Sequence, residues 1–155
     1  VAARSLTLHE QLLLDIMSGM EHSALYSVVT LFECMQDPAT VAWLMQSDIN
    51  LPGITPPGRY PTPAEIEQVI DAIPGMRAAY RRTAKVWQVT VRSRKDVSWA
   101  CLAVRDYSGD EHEPHRFYFE GGWDEVILLI TARLADLCGP MVLLHDSGTP
   151  PQVVF

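Results

Sequence analysis

The hydrophobic period of this 155-residue chain changes once, and that change limits what it can fold into. Up to about residue 75, apolar residues recur three and four positions apart. From Trp87 onward they alternate, with Trp87, Val89 and Val91 set against Gln88, Thr90 and Arg92. A period near 3.6 buries one stripe of a helix, and a period of two buries one face of a strand. The chain therefore combines a helical first part with a sheet-rich second part, and each needs the other to cover its apolar side.

Leu8, Leu12, Ile16 and Met20, widened by Leu13 and Met17, predict a helix over 6–20, with Thr7 and Glu10 as a capping box and Gly19 as its stop. Leu25, Val28, Val29, Phe32 and Met35 predict a second over 23–36, ending before Asp37-Pro38. A third is expected over 38–46. Pro52, Pro56, Pro57, Pro61 and Pro63 then make residues 48–62 a connector, since proline cannot propagate regular structure. Thr62 caps a further helix with Pro63 in its first turn and Glu65 three residues after the cap. Ile66, Val69, Ile70 and Ile73 form its buried stripe, and Pro74-Gly75 ends it. Residues 76–83 fit either another helical turn or an irregular basic segment.

Strands are expected over 87–92 and 97–107, joined at Ser93-Arg94-Lys95-Asp96, and over 115–120, where Gly121-Gly122 breaks the run. A long helix opens at Trp123-Asp124-Glu125 and closes at Gly139-Pro140. Residues 141–145 and 152–155 make a final hairpin. The expected fold is α+β in a single domain over 1–155. An N-terminal helical layer (1–47) and the connector (48–62) precede a portion (63–155) that runs, after its helix, β-β-β-α-β-β. That portion forms a mainly antiparallel sheet with one long helix packed on it. Val126 to Ile130 make more than one face of this helix apolar, so it needs cover from the N-terminal helices or from a second copy, which leaves a homodimer possible.

No apolar run reaches the roughly eighteen residues of a membrane span. Cys34, Cys101 and Cys138 are far apart, apolar in surroundings and without a basic neighbour, which fits buried reduced thiols and a cytoplasmic setting. The net charge is −7, unevenly spread. Between Asp71 and Asp96 there is no acid, while Arg77, Arg81, Arg82, Lys85, Arg92, Arg94 and Lys95 make up seven of the twelve basic residues. With Tyr80 and Trp87 for stacking, that band invites a nucleic-acid reading, but the acidic flanks oppose a polyanion, so nucleic acid is disfavoured.

The densest cluster of chemistry is Gly109 to Glu125, with two histidines and six carboxylates in seventeen residues. His112 and His115 could hold a divalent metal beside Asp110, Glu111 and Glu113, but Pro114 between them removes the helical spacing that would align the rings. A solvated turn between strands is the plainer expectation for both histidines. His145-Asp146-Ser147-Gly148 has the residue types of a hydrolase, although adjacency in sequence does not make a triad converge. No cofactor motif occurs.

A protein-binding module is the class these features favour. Asp106, Asp110, Glu111, Glu113, Glu120, Asp124 and Glu125 are expected to dock a basic partner together with Tyr107, Tyr118 and Trp123, as in an inhibitor or immunity-type protein. A dimeric secretion-chaperone-like protein is one alternative. A small enzyme or metal-binding protein using His112 and His115, or His145, is another.

Overall fold

A computed structural model describes residues 26–49, 51, 57–147 and 150–155. The helix expected over 6–20 lies outside them, as does much of the connector. The elements are β1 (Tyr26–Thr30), α1 (Leu31–Met35), α2 (Pro38–Gln46), α3 (Pro63–Asp71), β2 (Met76–Arg82), β3 (Trp87–Ser93), β4 (Trp99–Val104), β5 (Phe117–Gly122), α4 (Asp124–Cys138), β6 (Met141–His145) and β7 (Gln152–Val154). The strands form one sheet in the order β2-β3-β4-β5-β1-β6-β7, and every pairing is antiparallel. The α+β class, the long helix on the sheet and the five strands after residue 84 match the sequence expectation.

Two strands had not been expected. Residues 26–30 lie inside the expected 23–36 helix, yet they form β1 in the interior of the sheet, bonded to β5 on one side and β6 on the other. Tyr-Ser-Val-Val-Thr is aromatic and β-branched, and two long-range ladders outweigh a helical spacing that could extend only to the cap. Thr30 ends the strand and caps α1, its hydroxyl accepting from the Glu33 N–H. Residues 76–82 form β2, whose Arg77, Ala79 and Arg81 are exposed while Met76, Ala78 and Tyr80 turn inward. Gly121 and Gly122 do not break β5. They belong to it, next to a register shift opposite Cys101 and Leu102.

One face of the sheet carries the main core. Val28, Trp87, Val89, Leu102, Phe117 and Phe119 meet Ile127, Ile130 and Leu134 of α4 and Ile66 and Ile70 of α3. Trp87 is 1 % exposed, on the inward face with Val89 and Val91, so it is not available for the stacking that the disfavoured nucleic-acid reading would use. The capping box at Thr62 and Glu65 forms as expected, and Arg59 grips the same Glu65 carboxylate, holding it down to about 2.

On the opposite face, Val29, Val142 and Leu144 pack with Leu31, Cys34 and Leu44 of α1 and α2. These N-terminal helices thus cover the far side of β1 and β6 and not the outer side of α4. Tyr60 anchors the end of the connector there. Its phenol donates to Glu33 at 2.5 Å and accepts from the Thr30 N–H, while Arg116 pairs with the other Glu33 oxygen. The second face of β2 to β5 is left open by the described elements. All three cysteines are free and buried, and burial pushes the Cys34 thiol up to about 12. None of the described helices is long and apolar enough to cross a membrane.

Candidate functional site

The residues singled out between Asp106 and Glu125 occupy three places, because β5 runs straight through the middle of the stretch. Its six residues put roughly 20 Å between the loop before it and the helix start after it. Contiguity in sequence does not become one surface here.

The loop before β5 is fastened to α3 and to the connector. The Ala64 N–H donates to the Glu111 carbonyl, and the His115 N–H donates to the Pro61 carbonyl. Its carboxylates are largely occupied in folding it. Asp110 accepts from the His112 N–H at 2.9 Å, Glu113 accepts from the Ser108 hydroxyl at 2.7 Å, and Glu111 lies 3.9 Å from Arg82. Asp106 takes a left-handed backbone at the turn, with φ 48°.

His115 corrects the solvated-turn expectation, since it is only 8 % exposed. Its Nδ1 lies 2.6 Å from the Glu113 carbonyl, which can only accept, so that nitrogen carries the proton. Nε2 is then free to accept the Ser108 N–H at 3.2 Å. Tyr107 packs against the ring. Both nitrogens are committed to the loop, whereas His112 is exposed. Among the described residues there is no group of three or more potential metal ligands. His115→Ala is expected to cost about 1–2 kcal/mol by stranding the Ser108 N–H and the Glu113 carbonyl. His112→Ala should stay within about half a kcal/mol. Equal urea midpoints for the two variants would contradict this assignment.

Tyr118 and Glu120 lie on the open face of β5, where Tyr118 and Gln88 both donate to the Glu120 carboxylate. Trp123, Asp124 and Glu125 lie at the opposite end of β5 from the loop. The Trp123 N–H donates to the Trp99 carbonyl, and its own carbonyl accepts from Val126 and Ile127, so its backbone begins α4. Its indole stays 43 % exposed. A shallow hollow of about 460 Å³ lies over Gly122, Trp123, Asp124 and Glu125.

Two residues join this end that sequence reasoning had not placed there. The Tyr26 hydroxyl donates to Asp124 at 3.2 Å, and its ring meets His145 edge-on at 4.7 Å. Burial raises the Tyr26 phenol, and the charges of Asp124 and Asp146 raise it further. Asp146 therefore belongs to the same acidic neighbourhood. The pairing of β1 with β6 assembles it, a contact between residues more than one hundred positions apart.

His145-Asp146-Ser147 does not form a catalytic triad. Ser147 Oγ lies 2.5 Å and Asp146 Oδ1 3.3 Å from the same nitrogen, Nδ1. A general base needs its orienting acid and its nucleophile on opposite nitrogens. Burial also raises the Cys101 and Cys138 thiols, which opposes the thiolate a nucleophile requires. No family model, curated protein or solved structure matches the chain.

Proposed function

We propose that this chain is a small acidic protein-binding module of the inhibitor or immunity type, which neutralises a basic protein partner through the surface around Trp123. The observation that carries this reading is a half-exposed indole whose own backbone caps α4 and which shares its hollow with Asp124 and Glu125, while Asp146 adds its charge near Tyr26, the partner of Asp124. A rigid aromatic beside charge supplies what an interface hot spot uses, buried apolar area with little side-chain entropy to lose. The net charge of −7 adds long-range attraction for a basic protein. The exposed acids of the β4–β5 loop, Asp106, Asp110 and Glu113, contribute to that field from the far end of β5 and not as direct contacts.

The test begins with the basic protein captured from the native host and purified. Its association rate with the chain should fall steeply as salt rises, while dissociation changes little. Glu125→Gln with Asp146→Asn should slow association severalfold at low ionic strength. An unchanged association rate in that variant would remove the docking role. A chaperone-like homodimer is the competing reading, motivated by the 46 % exposed Leu137 on the uncovered side of α4. Sedimentation as a monomer at micromolar concentration would dismiss it.

A further inference from the structure

The open face of β2 to β5 carries two hollows that meet at Arg92. The first, of about 310 Å³, is lined by Arg77, Arg92, Ser93 and Arg94. Arg77 and Arg92 are direct cross-strand neighbours, a placement that like charges make unfavourable. Neither of them, nor Arg94, has an ion-pair partner among the described residues. Three arginines lining one hollow supply the guanidinium donors that a phosphate takes up.

The second hollow, of about 330 Å³, is lined by Thr90, Arg92, Trp99, Cys101, Glu120 and Gly121. That volume falls in the range of small-molecule sites. A Cβ on Gly121 would lie 3.1 Å from the six-membered ring of Trp99, so the glycine lets the indole settle onto the sheet. Among the described residues, the donors to Glu120 are neutral. Gln88 and Cys101 reach Oε2 at 2.6 and 3.6 Å, and Tyr118 reaches Oε1 at 3.3 Å. A carboxylate offers about four acceptor positions, and because the 3.6 Å thiol contact is weak and can be displaced, Oε1 and Oε2 can each accept one further N–H.

We propose that this face binds a guanosine phosphate, with the phosphate among the arginines, the base stacked on Trp99, and its N1–H and N2–H groups donated to Glu120. Arg77, Arg92 and Trp99 form one cross-strand row over three strands, spanning about 10 Å, with Glu120 on the strand beyond. Guanine presents two N–H donors side by side on one edge. Adenine and cytosine set an acceptor nitrogen beside their amino group, which would face the carboxylate unfavourably. The acidic flanks that disfavour a long polyanion matter much less for a ligand with a single phosphate beside three guanidiniums.

Amide chemical shifts of the full chain, followed by NMR during titration with GMP, AMP and inorganic phosphate at constant ionic strength, test this directly. GMP should shift Thr90, Trp99, Cys101 and Gly121 and bind about tenfold tighter than AMP. Inorganic phosphate should move only Arg77, Arg92, Ser93 and Arg94. Glu120→Gln should bring GMP and AMP within about twofold of each other and leave the phosphate response intact. Arg92→Gln should weaken GMP and phosphate alike. If Glu120→Gln disturbs amides outside the two hollows, Trp99→Leu makes the comparison instead, and it should erase the advantage of GMP over phosphate. A guanosine-ended tetranucleotide that binds tighter than GMP identifies a strand end as the source, and one that binds more weakly identifies the free nucleotide. Equal affinity for GMP and AMP in the unmodified chain, or no response of Trp99 and Gly121 to millimolar GMP, overturns the proposal.

Discussion

Gly122→Ala is expected to lower the free energy of unfolding by about 3–5 kcal/mol, the sum of backbone strain and overpacking at one position. Gly122 has φ 137°, a conformation that L side chains rarely adopt. An added Cβ would lie 2.6 Å from Ala100 Cα, 2.7 Å from the Trp99 carbonyl oxygen and 2.8 Å from Ala100 Cβ. Two of those are backbone atoms of the neighbouring strand, so relief requires the β4–β5 ladder to open. The same movement would pull the Trp123 N–H from the Trp99 carbonyl and shift the start of α4. Gly121→Ala provides the control, because its Cβ would meet only the rim of a side-chain ring. That variant should lose about 1 kcal/mol or less. Urea unfolding of the two variants checks the difference, and a Gly122→Ala loss no larger than that of Gly121→Ala would show that the ladder yields there.

Local signals in the sequence carried through where one short segment decides the outcome. Thr62, Pro63 and Glu65 specify a helix start through a capping box closed within four residues, and Gly139-Pro140 specifies a stop by residue type alone. Alternation from Trp87 to Val91 survived because each inward residue has a cross-strand partner, Trp87 on β2 and Val89 and Val91 on both β2 and β4. Residues 26–30 failed for the converse reason. Val28 and Val29 are consistent with either period, and the choice is made by β5 and β6, some ninety and one hundred and fifteen residues away.

The candidate site was legible only in part for the same kind of reason. Trp123, Asp124 and Glu125 are neighbours in sequence and in space, but Asp110 and Glu113 are carried away from them by an extended strand. Asp146 is brought in by a ladder. His112 and His115 look equivalent on paper, and only the Pro61 and Ser108 contacts bury one and not the other. The open face of β2 to β5 could not be anticipated either. Its Arg77, Arg92 and Trp99 share a side only once the register of three strands is known.

Trp123→Ala is expected to shorten the residence time of the basic partner about thirtyfold, equivalent to about 2 kcal/mol, while association changes by less than about twofold. A buried anchor is lost after encounter, so its removal appears in dissociation. Charge steers the approach, and Trp123 carries none. The geometry around this residue separates an interface role from a folding role. What α4 needs from position 123 is the backbone, whose N–H is held by Trp99 and whose carbonyl receives Val126 and Ile127, and alanine keeps both. The indole itself is 43 % exposed, so its truncation should cost well under the 3–5 kcal/mol of a fully buried aromatic. Surface-immobilised kinetics against the purified partner, run beside urea unfolding of the same variant, read the two effects separately. A long residence time that survives the substitution removes Trp123 as the anchor. A stability loss as large as that expected for Gly122→Ala would assign the indole to the fold and leave docking to the acids around it.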